Sequence, residues 1–232
     1  MFHLRLLMSQ CKAAKWLLLS LVLITPSGLS AFSRVEQQWV EMVSEFYGPR
    51  AGQRVMSWRS LMADLAEEPA MVQLSEINDF FNQIHFIDDF KLWGKKDYWA
   101  TPLEFLGSNA GDCEDFTIAK YYSLRELGIE ENKLRLIYVK AIELDQFHMV
   151  LAYYSTPSAE PLILDNLDPV VRRASTREDL QPIFSFNAKN LWLIKAQKSR
   201  IAGDASRLNL WNDLQARQKA DSLNRPIIDV DE

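Results

Sequence analysis

The sequence predicts an α+β fold: a helical N-terminal part, a reactive residue on a helix N-terminus, and an antiparallel sheet for that helix to pack against. Three observations carry this. Apolar residues recur at helical spacing through much of the first hundred positions, a capped helix opens at Asp112-Cys113, and beyond Gly128 the pattern changes to short β-rich runs separated by turns. The chain has 232 residues, 48% of them hydrophobic, which suits one domain burying about 70% of the surface its unfolded chain exposes. Disordered, collagenous and multidomain readings fail on these numbers. With 26 Lys and Arg against 31 Asp and Glu, the net charge of −5 is a poor balance for holding nucleic acid.

The first 30 residues read as an export signal. Arg5, Lys12 and Lys15 form a basic stretch, an apolar run extends from Trp16 to Ile24, and Pro26 and Gly28 precede a cleavage point after Ser30. A membrane span needs about 20 apolar residues, so a removable signal is favoured over an anchor. The leader holds three of the basic residues and no acid, so the mature chain sits near −8. The expected organisation is a signal peptide at 1–30, one domain at 31–206, and an amphipathic segment with a mobile tail at 207–232.

Val35 to Tyr47 places Val35, Trp39, Met42, Val43 and Phe46 on one stripe, and Gly48-Pro49 ends it. Arg54 to Leu65 predicts a second helix of the same kind. Leu74 to Ile87 predicts a third, with Ile77, Phe80, Phe81 and Ile84 inward and Asn78 and Gln83 turned away. His85, at its end, reads as a surface or capping residue. Trp93, Tyr98 and Trp99 fall in a loop leading to Thr101-Pro102.

Of the two cysteines, Cys11 lies in the leader, so the mature chain keeps only Cys113. In an exported protein a solitary thiol asks for a reason. A nucleophile is one, and a buried cysteine acting as a small hydrophobe is the other. Asp112 and Asp115 form a capping-box pair opening a helix to about Leu127, with Phe116, Ala119, Ser123 and Leu127 as its buried stripe and Gly128 beyond its end. Cys113 falls in the first turn, where the helix dipole and free amides favour a thiolate and suit a developing oxyanion. Asp112, Glu114 and Asp115 crowd that thiol and oppose its ionisation. A divalent cation would offset them through hard oxygen donors. Their spacing is not that of an EF-hand, and on spacing alone the ordinary role of capping and solubilising a helix end is preferred.

After Gly128, Leu134 to Val139, His148 to Tyr154 and Leu162 to Leu164 read as strands, the last two forming an antiparallel hairpin around Ser155 to Glu160. Either register of that hairpin sets His148 and Asp165 opposite one another or one diagonal step apart. Each has an ordinary alternative, a satisfied strand-end histidine and an Asx turn residue. Together with Cys113 they supply a nucleophile, its general base and an orienting carboxylate.

The run from Trp99 to Asp115, with Thr101-Pro102-Leu103-Glu104-Phe105-Leu106 and Gly111-Asp112-Cys113-Glu114-Asp115, is followed by Lys133 to Leu136, His148 to Leu151 and Leu162 to Leu167. In order and spacing it resembles the bacterial transglutaminase-like cysteine proteinases of the LapG type, over nearly the whole mature chain. The resemblance implies a papain/transglutaminase-like fold and a calcium-dependent periplasmic endopeptidase. Such enzymes cut a large surface adhesin near its N-terminal retention module and release the cell from a biofilm, and an inner-membrane cyclic di-GMP receptor sequesters them. It implies Cys113, His148 and Asp165 as the triad, and Asp112 and Glu114, with Asp115, as Ca²⁺ ligands. Calcium there would neutralise the acids beside the thiol.

Two other readings share these residues: a protein transglutaminase, which passes the acyl group to an amine, and a catalytically idle calcium- or partner-binding module. Trp99 is an expected oxyanion donor only if it is not packing, the commoner role of such an aromatic. Arg172-Arg173 lies in a loop from Asn166 to Arg177, where a solvated surface is preferred over a grip on an acidic partner.

Overall fold

The computed structural model describes residues 32–195 and 198–231. The expected leader, with Cys11 and the Ser30 cleavage point, lies outside them. Among the described residues no helix is long and apolar enough to cross a membrane.

The helical part comes first. Helix α1 (Arg34–Tyr47) starts in a capping box between Ser33 and Glu36, and α2 (Pro49–Leu65) follows after Gly48, whose φ of 107° turns the chain. Helix α3 (Ala70–Phe81) stops at Asn82, short of the predicted Ile87. The next residues leave the helix because β1 (His85–Phe86) pairs in parallel with β2 (Ala110–Gly111), a distant segment that helical periodicity does not reveal. His85 is exposed there, as expected. Asn78, expected to face outward, is fully buried, and its amide donates to the Pro169 carbonyl at 2.7 Å. Helices α4 (Asp89–Leu92) and α5 (Pro102–Ser108) frame the aromatic loop, and α6 (Cys113–Glu126) follows β2.

The sheet has seven antiparallel strands in the order β6-β5-β4-β3-β7-β8-β9. Strands β3 (Leu134–Ala141), β4 (Gln146–Tyr153) and β5 (Leu162–Leu164) lie where the sequence predicts them. To these are added β6 (Arg172–Arg173), β7 (Leu180–Phe186), β8 (Asn190–Lys195) and β9 (Lys198–Asp204). Side chains alternate across β3 and β4 as strand geometry requires. Leu134, Leu136, Met149 and Leu151 join the helical core around Trp58, Phe81, Phe105 and Phe116. Ile137, Val139, Val150 and Ala152 form a smaller cluster on the opposite face.

Helix α7 (Asn209–Ala220) buries Trp211, which packs edge-on to Trp99 and Phe186. The tail expected to be mobile is held against the helical part instead. Asn224 N–H donates to Glu104 Oε1 at 2.9 Å, Ile227 N–H to the Leu92 carbonyl at 2.8 Å, and Asp231 pairs with Arg54 at 2.8 Å. Glu104 is fully buried, and its carboxylate accepts from Tyr98 Oη, the Thr101 amide and Asn224 of the tail, and pairs with Arg217; part of the polarity read as a sign of mobility serves that buried charge.

Candidate active site

Helix α6 begins where the sequence places it. Asp112 is its N-cap, the Asp115 side chain accepts the Asp112 amide at 3.2 Å, and Cys113 is the first helical residue. Gly111 makes the approach feasible, since a Cβ there would lie 2.8 Å from both Asp115 Cβ and the Phe105 ring. At the other end Gly128, with φ 91°, releases the chain toward β3.

Strand β5 pairs with β4 only over Leu151 to Tyr153, leaving the first half of that β4 edge unpaired by a strand. The start of α6 fills the gap. Thr117 Oγ1 donates to the Met149 carbonyl at 3.0 Å and to the Cys113 carbonyl at 2.8 Å. The first turn of α6, which carries the thiol, is therefore anchored on β4 at the residue after His148. Continuing the β4–β5 register, Asp165 is diagonal to His148, one of the two arrangements anticipated. The side chains meet, His148 Nε2 to Asp165 Oδ1, at 2.6 Å, and both are almost fully buried. The sulfur does not hydrogen-bond His148; its proton is directed to Glu114 Oε2 at 2.8 Å.

Asp165 is held on every side. Its Oδ1 also accepts the Leu167 amide at 3.1 Å, its Oδ2 accepts Arg177 Nη2 at 2.7 Å, and its backbone carbonyl accepts Asn82 Nδ2 at 2.8 Å. Burial works against its charge, but the donors from His148, Leu167 and Arg177 prevail and hold the carboxyl down at about 2. Asn82 in turn accepts the buried Lys120 ammonium at 2.7 Å, tying α6 to the end of β5. Burial lowers Lys120 to about 7, against the pull of Asp165 and Asp79.

On the other side of the thiol the balance reverses. Asp89, Asp112 and Asp115 offer oxygens within 4.8 Å of one another, and Asp112, Cys113 and Glu114 form a second such group. Burial, then mutual repulsion, pushes Asp112 up to about 11 and Asp89 to about 7, and drives Asp115 well above the carboxylate range. The thiol is also pushed well up, by burial first and then by Glu114 and Asp112. Backbone amides satisfy part of the cluster, Tyr98 N–H on Asp89 at 2.5 Å and Ala100 N–H on Asp115 at 2.7 Å. Among the described residues, Asp89 Oδ1 and Asp112 Oδ1 are buried with no donor. Convergent, donor-poor carboxylate oxygens fit a hard divalent cation such as calcium. Asp115 joins Asp112 and Asp89 in one group, while Glu114 shares the other with Asp112.

Sequence reasoning missed Asp89 and Arg177. Asp89 looks like any acid opening a helix, and Arg177 sits after a run of loop residues. Trp99 is stacked on Phe186 at 5.7 Å, a packing role. Arg172 pairs with Asp168 at 2.5 Å and Arg173 with Glu160 at 3.7 Å on the surface.

A helix-borne cysteine set against a sheet-borne histidine–aspartate pair is the division of labour of transglutaminase-like cysteine proteases. The chain belongs to the bacterial transglutaminase-like cysteine proteinases (BTLCP), whose family model matches residues 54–182. It is 38% identical to LapG of Legionella pneumophila in three solved structures. The EGTA-treated form has a TM-score of 0.70 and a second form 0.69, each aligned over 78% of this chain and 96% of LapG. The calcium-bound form has a TM-score of 0.68, aligned over 78% of this chain and 98% of LapG. No curated protein sequence matches significantly.

Proposed function

We propose that this cysteine protease is a calcium-dependent periplasmic endopeptidase that cuts the N-terminal region of a large surface adhesin and so promotes biofilm detachment. An inner-membrane cyclic di-GMP receptor would hold it in check. The observation that carries the catalytic half is the buried His148–Asp165 pair at 2.6 Å, on the β4 edge where Thr117 anchors the first turn of the Cys113 helix. The compartment rests on the leader sequence, and the substrate and receptor rest on the family resemblance.

In this reading Cys113 is the nucleophile. Asp165 engages His148 Nε2, which leaves Nδ1 to take the thiol proton. The thiolate attacks the scissile carbonyl, and the oxyanion accepts from the Cys113 amide, one of the unpaired donors of the helix start. The imidazolium, steadied by Asp165, protonates the leaving amine, and a water activated by His148 then hydrolyses the thioester. Asp112, Glu114, Asp115 and Asp89 are the residues to hold calcium. Bound there, it supplies fixed positive charge that neutralises the carboxylates opposing thiol ionisation.

The test is incubation of residues 31–232 with the N-terminal segment of the largest surface protein of the same organism. Calcium-dependent cutting that vanishes with Cys113→Ala is expected. Cutting that persists in excess chelator would remove the metal from the account, and amide products with added amine would make the chain a transglutaminase.

A further inference from the structure

Arg177 is 6% exposed and is placed by the short 3₁₀ turn Ala174–Thr176, whose Ala174 carbonyl accepts its amide at 3.1 Å. Its Nη2 bridges Asp165 Oδ2 at 2.7 Å and Asp179 Oδ2 at 2.8 Å, and its Nε donates to Asp179 Oδ1 at 2.9 Å. The Asp165 carboxylate is thus divided, one oxygen for the imidazole and the other for a guanidinium. We propose that Arg177 is a positioning residue that both fixes the Asp165 carboxylate against His148 and sets, by sharing its charge, how strongly His148 holds a proton.

A guanidinium stays charged throughout the range in which an enzyme works, so its field on this buried pair is constant. It draws on the same anion that stabilises the imidazolium. Without it, the whole charge of Asp165 faces His148, and the proton is held more tightly. Asp179, on the open side of Arg177, tunes the effect in the reverse sense. It occupies part of the guanidinium, so neutralising it turns more positive charge onto Asp165 and weakens the hold on the proton. The other charged groups near this pair are Lys120 on α6, on which Asp165 acts, and Asp79 on α3, which acts on Lys120. None of these differs between the variants compared below. A purely structural ion pair joining the end of β5 to β7 has no reason to give opposite signs at its two ends.

The inference rests on the catalytic reading of His148, so the primary readout is one that needs no substrate. Residues 31–232 contain two histidines, His85 and His148, and imidazole NMR resolves the titration of each. The exposed His85 is the internal reference. In Arg177→Gln the pH at which His148 titrates moves up by about one unit relative to wild type. In Asp179→Asn it moves down by less, and Arg177→Lys restores the wild-type midpoint. The acid limb of kcat/KM, where His148 must lose its proton to act as a base, follows in the same directions. Movement of both variants the same way, or no movement, overturns the proposal. Should Arg177→Gln fail to fold, Asp179→Asn, altered in a side chain that is partly exposed, decides alone: a lower midpoint supports the proposal, an unchanged or higher one refutes it. If the expected shifts occurred in a protein that cleaves no peptide, the charge sharing would stand and the protease reading would fall.

Discussion

The two charged clusters on either side of the Cys113 sulfur obey opposite rules. The Asp165 cluster is closed. Every carboxylate oxygen meets a donor from His148, Leu167 or Arg177, and the carboxyl is held at about 2. The Asp112 cluster is open. Asp89, Asp112 and Asp115 are pushed upward, and two of their buried oxygens have no donor among the described residues. The first carries its own cations within the chain, while the second has the donor-poor oxygens that fit one supplied from outside. The difference teaches where each cluster's stability comes from. Under the proposed function, one contributes its energy at folding and the other on binding a metal.

Breaking the closed cluster has the largest expected effect. Asp165→Asn leaves Arg177 buried with Asp179 alone and deprives the imidazolium of its anion. Stability should fall by about 3 kcal/mol, and kcat by roughly a thousandfold. Urea unfolding monitored by circular dichroism, with peptide cleavage alongside, measures both; a loss under 1 kcal/mol would mean that Asp165 does not hold this cluster together.

Filling the open cluster comes next. Calcium at about a hundred times its dissociation constant should raise stability by about 2.7 kcal/mol, which for a chain of this size is a melting-point rise of roughly 5–10 °C. Thermal melts with calcium and with excess chelator decide it. Equal melting points in the two conditions would erase the contrast between the clusters.

What the sequence revealed of this arrangement was its local part. The helix carrying Cys113 is written in contiguous signals, the Asp112 cap and the terminal Gly128, and the hairpin register follows from the lengths of two runs and one turn. Asp89 and Arg177 enter each cluster from distant segments through tertiary contact, and nothing in their neighbours marks them. The buried Asn78 shows why. Periodicity separates apolar from polar faces, but a polar residue is satisfied inside when a carbonyl 91 residues away comes to meet it. The docked tail misled for the same reason, since its polar side chains are what a buried Glu104 requires. Strands β7 to β9 carried no signal comparable to that of the first three, and the reading stopped before them.

Acid sharpens the comparison further. Asp165 is held at about 2 against an ordinary 3.8, so its folded state is the better acid. The stabilisation it brings, about 2 kcal/mol, is complete above pH 4 and is lost as the pH falls through 2. Asp89, Asp112 and Asp115 of the open cluster are raised, so below pH 4 they hold protons in the folded state and take them up in the unfolded state as well, contributing little slope there. Between pH 4 and 2, wild type should therefore lose stability more steeply than Asp165→Asn, as urea midpoints across that range will show. Parallel curves would place the acid sensitivity elsewhere.

The smallest effect is the most discriminating, because its sign is opposite to that of an ordinary buried substitution. Asn caps a helix as well as Asp does, so Asp112→Asn keeps the start of α6 while removing an acid whose charged form burial and its neighbours disfavour. In excess chelator the variant should be more stable than wild type, by about 1 kcal/mol. In calcium the order should reverse, because the variant has lost a ligand for the ion. Unfolding midpoints of both proteins in both solutions give the four numbers required. A variant weaker than wild type in both solutions would show that Asp112 is satisfied within the chain, and the open cluster would then be no different in kind from the closed one.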